Sequence, residues 1–163
     1  MRTLFKAGLP VIMVLILIFA VSCEEEDDTN KEELMIEAFI QERGITAEPT
    51  ESGLYYIELE PGIGIVPGLG DTAVVNYKGM FLNGRVFDYS LGEDTYEVVV
   101  GVSGVIAGWH EGLSYMKEGA KAWLLIPSNL AYGAAGRGSI PGYTPLLFEI
   151  ELKRVKPGSA MIK

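Results

Sequence analysis

Six aromatic side chains, Tyr77, Phe87, Tyr96, Trp109, Tyr132 and Phe148, come from six separate segments of the chain, mostly at strand ends and in loops. Asp88 directly follows Phe87, which places a carboxylate beside an apolar cluster. Tyr132 sits in Ala131-Tyr132-Gly133-Ala134-Ala135-Gly136-Arg137-Gly138, a stretch too glycine-rich to hold a large core residue rigidly. Such a set can line a dry cleft that grips an apolar ring and presents a few polar groups to it. The competing reading is that the aromatics simply fill the core. The chemistry is not that of the usual catalytic constellations. His110 is the only histidine and Cys23 the only cysteine, and no paired cysteines, H-E-x-x-H or phosphate-cradling loop occurs. Metal and nucleotide chemistry therefore have no support, and no cofactor is expected. His110 stands on the side of a helix opposite Ile106 and Leu113, which reads as a solvent-facing residue rather than a base.

The elements that must position these residues are short strands around one helix. Leu54–Leu59 reads as a strand ended by Pro61-Gly62. Thr72–Met80 alternates, with Ala73, Val75 and Tyr77 opposite Val74, Asn76 and Lys78. Asn83-Gly84 is a hairpin-turn signal. Tyr96–Val100, Lys121–Ile126 and Leu146–Val155 complete about five strands. Val105–Met116 carries Ile106, Trp109, Leu113 and Met116 at helical spacing. A meander of antiparallel strands must bury that helix against one sheet face, so the class is α+β.

Ahead of this domain, residues 29–43 predict a helix capped by Asn30 with Glu33 three positions on, and stopped by Gly44. Leu34, Ala38 and Gln41 share one side, broadened by Met35, Ile36, Phe39 and Ile40. The helix either packs on the domain, stands as a stalk, or pairs with a partner. Residues 44–52 read as a linker.

The first 22 residues read as a secretory signal: Arg2 and Lys6, an apolar run Val11–Ala20, then small residues before Cys23. Leu9–Val21 gives 13 mainly apolar residues, short of the roughly 20 that span a bilayer. The segment ending Ala20-Val21-Ser22-Cys23 resembles a bacterial lipobox, although Ala20 stands where leucine is usual. That resemblance implies a lipidated Cys23 as the mature first residue. The run Glu24–Asp28 reads as a solvated acidic tether or as a sorting tag, similar to acidic export signals of some Bacteroidetes-type bacteria. The expected address is then the cell envelope, lipid-anchored, with the outer membrane favoured. Loss of residues 1–22 leaves 11 basic against 22 acidic residues, a net charge of −11, which phosphates would repel. Nucleic acid is not an expected partner.

Four stretches together resemble the FKBP-type peptidyl-prolyl isomerases: Val74–Met80, Asn83–Asp88, Val105–Leu113, and Ala131-Tyr132-Gly133 followed by Ile140-Pro141 and Leu147-Phe148-Glu149. The resemblance runs from about Gly53 to Lys156, leaving 157–163 as a tail. It implies a twisted antiparallel five-stranded sheet wrapped on a short helix, and isomerisation of X–Pro bonds in exported, proline-containing or unfolded polypeptides. Macrolides are the implied small ligands. Carried over by position, the proline pocket would be lined by Tyr77, Phe87, Asp88, Tyr96, Val105, Ile106, Trp109, Tyr132, Ile140 and Phe148. Trp109 would be the floor, the Ile106 N–H and Tyr132 hydroxyl would donate to substrate carbonyls, and Asp88 would be a polar wall group. The chain departs from the family at Tyr96, where phenylalanine is common, at Gly104, where an acidic residue can occur, and at Arg137 in a variable loop. The loop Leu91–Thr95 is one residue short and offers Asp88 no basic partner. A non-catalytic FKBP-fold binding module is the alternative to an enzyme.

Overall fold

The computed structural model describes residues 23–90 and 94–158. The signal segment 1–22, part of the short loop 91–95 and most of the C-terminal tail lie outside the described residues.

The strands form where apolar residues alternate. β1 (Tyr55–Glu60), β2 (Thr72–Phe81), β3 (Val86–Tyr89), β4 (Tyr96–Val99), β5 (Lys121–Ile126) and β6 (Leu146–Lys156) make one antiparallel sheet in the order β1-β5-β6-β2-β3, with β4 also on β2. The sheet thus has six strands rather than five, because Asn83-Gly84 turns β2 back into β3. Gly84 takes φ +84° there, and the Asn83 side chain accepts the Arg85 N–H at 3.0 Å. β3 and β4 share one edge of β2 in succession, β3 opposite Lys78–Met80 and β4 opposite Thr72–Val75.

The long pairing of β2 with β6 puts Val75 opposite Leu152 and Gly79 opposite Phe148, while Leu124 of β5 faces Phe148 from the other side. Alternation then sends Ala122, Leu124 and Ile126 to one face of β5, and Trp123 and Leu125 to the other. The first face meets α2 (Ala107–Tyr115), whose Trp109 and Leu113 are buried, as is Met116 just beyond it. The helix lies close because Gly108 and Gly112, one turn apart, face the sheet. A Cβ on Gly108 would stand 2.5 Å from Ile126, and one on Gly112 2.3 Å from Leu124.

The second face is covered by α1 (Cys23–Arg43), which packs Ile36 and Phe39 on Leu125 and Leu147, flanked by Trp123, Ile57 and Met80. The helix begins well before Asn30, so Asn30 does not cap it and the acidic run lies in its first turns. The packed stripe is also not the one Leu34 and Met35 suggested: both are exposed, and the buried positions are Glu32, Ile36 and Phe39. The Glu32 carboxylate accepts the Ser128 N–H at 2.5 Å and the Ser128 hydroxyl at 2.6 Å, so burial of the charge is offset by two charge-assisted hydrogen bonds. That contact ties α1 to the short 3₁₀ turn Ser128–Leu130, which opens the loop carrying Tyr132. Residues 44–52 are likewise held, since the Thr50 and Ser52 hydroxyls donate to Glu111 of α2 at 2.8 and 2.6 Å.

At the other end of the domain Asp71 is buried and accepts the Gly68 and Gly158 N–H groups, both at 2.8 Å. These two donors, Gly158 foremost, hold its carboxyl below the usual carboxylate range. They also bind the end of β6 to the start of β2.

Candidate active site

Gly79 decides how the aromatics gather. A Cβ there would stand 2.7 Å from the Phe148 ring and 2.8 Å from Phe87. With none, Phe87 from β3 and Phe148 from β6 close over the β2 backbone, edge to face at 5.6 Å. Trp109, one turn into α2 and 4% exposed, then meets Phe148 at 5.3 Å, Tyr77 at 5.0 Å and Tyr96 at 6.2 Å, each ring nearly perpendicular to the indole. The three partners come from three strands, β2, β4 and β6, and clamp the indole in the geometry that aromatic quadrupoles prefer.

Above this cluster opens a cavity of about 340 Å³, lined by Tyr77, Phe87, Asp88, Tyr96, Gly104, Val105, Ile106, Trp109, Tyr132, Arg137 and Phe148. Nine of the ten positions named for the pocket line it. The tenth, Ile140, does not: it is buried in the core behind the loop. Its neighbourhood is set by a tight turn in which the Arg137 N–H donates to the Ile140 carbonyl at 2.8 Å and the Ile140 N–H returns the bond at 3.0 Å. The turn directs Ile140 inward and leaves Arg137 to reach the cavity. Gly104 and Arg137 line the wall where only departures from a pattern were expected. A larger groove of about 550 Å³ between α1 and the residues around Pro127 contains none of the clustered aromatics, and we place the chemistry in the aromatic cavity.

The polar groups divide into satisfied and free. The Asp88 carboxylate accepts the Tyr77 hydroxyl at 2.9 Å and the Tyr89 N–H at 3.0 Å. Burial, together with the bond to Asp88 and its charge, pushes the Tyr77 phenol well above its ordinary value. It stays protonated and fixes the carboxylate on the wall. By contrast, the Tyr132 hydroxyl has no hydrogen-bond partner among the described residues, and its ring is covered by the Arg137 guanidinium at 5.6 Å.

Ile106 occupies the cap position of α2 with extended backbone (φ −62°, ψ 151°) and no side-chain cap. An apolar cap leaves the first helical N–H groups without intrahelical acceptors. The Ile106 carbonyl takes the Trp109 N–H at 3.0 Å, while its own N–H has no partner among the described residues. The segment leading into it is braced by His110, which is not simply solvent-facing. Its Nδ1 accepts the Gly101 N–H at 2.9 Å and its Nε2 lies 3.0 Å from the Ser103 carbonyl oxygen. Nδ1 must accept, so the proton is on Nε2 and donates to Ser103. The lone histidine is thus a brace for the loop that carries Gly104, Val105 and Ile106. No spacing pattern in the sequence could have shown it, since both partners are backbone groups.

The arrangement offers a dry aromatic floor, one fixed carboxylate, and two free donors on opposite elements. It can seat a small apolar ring and bond the carbonyls flanking it.

Comparison with known proteins supports the same grouping. The family model described as FKBP-type peptidyl-prolyl cis-trans isomerase matches residues 65–153. The chain is 45% identical over 123 residues to the FKBP-type peptidyl-prolyl cis-trans isomerase FkpA of Escherichia coli strain K12, covering 74% of this chain and 44% of that protein. It thus spans less than half the length of FkpA. It is 43% identical over 105 residues to the FK506-binding protein of Neisseria meningitidis serogroup B, covering 63% of this chain and 96% of that one. Among solved structures, a peptidyl-prolyl cis-trans isomerase from Pseudomonas syringae pv. tomato superposes with TM-score 0.71 at 34% identity, over 81% of this chain and 96% of that chain. Crystalline FkpA from Escherichia coli gives the same score and identity over 93% and 75%.

Proposed function

Because this chain belongs to the FKBP-type peptidyl-prolyl cis-trans isomerase family, we propose that it catalyses cis/trans isomerisation of X–Pro bonds in exported polypeptides and so assists their folding. The observation that carries the reading is the cavity over Trp109, with its two free donors and its fixed carboxylate.

Rotation about a peptide bond is slowed by amide resonance, with a barrier of about 18–20 kcal/mol. X–Pro bonds populate both isomers yet exchange over tens of seconds or more. At the twisted midpoint resonance is lost and the amide is less charge-separated. A water-excluding aromatic surface therefore disfavours the planar ground state relative to the twisted one. With the prolyl ring on Trp109, the Ile106 N–H and the Tyr132 hydroxyl bond the flanking carbonyls in the twisted geometry, which is differential binding of the transition state. Asp88, oriented by Tyr77, forms the polar wall. Rotation makes and breaks no covalent bond, so these groups suffice. The same cavity is the place for a macrolide such as FK506.

Two substitutions separate catalysis from packing. Asp88→Asn keeps volume and shape, and Tyr132→Phe removes one hydroxyl that bonds none of the described residues. Tyr132→Phe removes one polar interaction of about 0.5–1.5 kcal/mol, and Asp88→Asn removes the charge and one of the two acceptor oxygens at a comparable cost. We expect kcat/KM on an X–Pro peptide to fall about two- to tenfold in each, with the urea midpoint essentially unchanged. Full activity and full macrolide affinity in both variants, or an inactive parent, would refute the assignment.

The anchoring reading completes the proposal. Cys23 carries the lipid, at the head of α1, which leaves the domain tethered at the membrane of the cell envelope. The small-residue stretch ending at Ser22 supports this, and a diacyl or triacyl chain gives the two signals that stable anchoring takes. In the cell, Cys23→Ser should release soluble protein into the periplasm. Complete retention of that variant in the membrane fraction would instead favour an uncut anchor. The outer membrane is the favoured site, on the strength of the acidic residues that follow the cysteine.

A further inference from the structure

We infer that Arg137 selects substrates with a carboxylate side chain immediately before the proline, making Glu–Pro and Asp–Pro bonds preferred over Lys–Pro. The inference rests on the isomerase reading and adds to it a substrate class.

Among the described residues, Arg137 is the only cationic residue lining the cavity, as Asp88 is the only anionic one. The three ion pairs among the described residues join Lys121 to Glu149, Lys153 to Glu151 and Lys156 to Glu97, and none involves Arg137. Its guanidinium lies over the Tyr132 ring, 5.6 Å from the centroid, with no carboxylate partner among the described residues. Asp88 already accepts two donors, the Tyr77 hydroxyl and the Tyr89 N–H. In a chain whose formal net charge is −9, an unpaired guanidinium at the mouth of the binding cavity is a local reversal of sign.

The position is also rigid. The Arg137–Ile140 turn is closed by reciprocal backbone hydrogen bonds of 2.8 and 3.0 Å, and the Gly136 N–H donates to the Tyr132 carbonyl at 3.1 Å. Gly136 is held at φ +66°, where a Cβ would stand 2.3 Å from the Ile140 carbonyl oxygen. Arg137 and Tyr132 are therefore fixed relative to one another by the loop backbone as well as by the stacking of guanidinium on ring. When the Tyr132 hydroxyl bonds a carbonyl next to the X–Pro bond, the X side chain leaves the substrate backbone beside the ring that Arg137 covers. A glutamate there meets the five N–H donors of a guanidinium, and a lysine meets like charge.

The group is solvent-exposed, so the preference is modest: a pairing in this setting corresponds to a factor of about three in rate constant. The test uses the full mature chain and acetyl-Ala-X-Pro-Phe-amide peptides with X = Leu, Glu, Gln and Lys, with exchange rates read by NMR. Expected kcat/KM ratios are about three for Glu over Gln and about ten for Glu over Lys, both falling towards one at 1 M NaCl as charges are screened. In Arg137→Gln only the Asp88 charge remains and the Glu-to-Lys order reverses. In Arg137→Lys the original order returns. Ratios within one enzyme cancel any general effect of the substitution on the pocket. Turnover of the Leu peptide with equal rates for Glu, Gln and Lys overturns this inference alone, as do ratios unchanged in Arg137→Gln. Failure to turn over the Leu peptide overturns the isomerase reading and this inference together.

Discussion

Trp109→Ala should be the most damaging single change at the site, and its control is one turn away on the same helix. The indole is 4% exposed and touches Tyr77, Tyr96 and Phe148 edge to face, so truncation removes both core packing and pocket floor. Large buried aromatic-to-alanine changes cost about 3–5 kcal/mol, and kcat/KM per folded molecule should also fall at least about tenfold as the prolyl ring loses its apolar contact. Leu113→Ala removes a fully buried side chain of α2 that does not line the cavity. It should cost a comparable 2–5 kcal/mol yet leave kcat/KM per folded molecule within about twofold. Urea titration for stability, and activity corrected for the folded fraction, separate the two effects. Equal losses of corrected activity in both variants would mean that Trp109 is core and nothing more.

Phe39→Ala should cost about 3–4 kcal/mol, the second large effect, although Phe39 lies outside the stretch that matches the family. Its ring is 4% exposed on the outer sheet face, against Leu125 and Leu147. Leu34, which the sequence placed on the helix's apolar side, is 64% exposed, and Leu34→Ala should change stability by less than about 0.5 kcal/mol. Catalysis should be spared in both, because no α1 residue lines the aromatic cavity. A stalk or partner-binding helix would give the opposite order of stability effects. An unfolding midpoint unmoved by Phe39→Ala would show that α1 is not part of the folding unit.

The two predictions draw on different kinds of legibility. Five of the six strands, all but β3, and α2 could be read to within about two residues, because alternation in β2 and helical spacing in Ile106, Trp109 and Leu113 are imposed locally by backbone geometry. Nine of the cavity's residues are named by position from the resemblance to the FKBP family, and of these the six aromatics and Asp88 also stand out by residue type. Tyr77, Phe87 and Asp88 stand at fixed offsets from Gly79 and the Asn83-Gly84 turn, and the turn and register bring them together.

What the sequence could not decide was anything set by a surface from another part of the chain. Leu34, Met35, Ile36 and Phe39 are all apolar, and only the apolar outer face of β5 and β6, where Leu125 and Leu147 are buried beneath α1, selects Ile36 and Phe39. Glu32 is buried only because Ser128, 96 residues away, supplies two donors. Ile140 beside Pro141 reads as a pocket wall until the reciprocal Arg137–Ile140 bonds turn it inward and bring Arg137 to the rim. His110 reads as a surface residue until the 101–103 backbone folds against its ring. Period and turn chemistry act over a few residues and so are written in order along the chain. Which face is covered, which charge is paired and which side chain lines the cavity depend on contacts that exist only once distant segments meet.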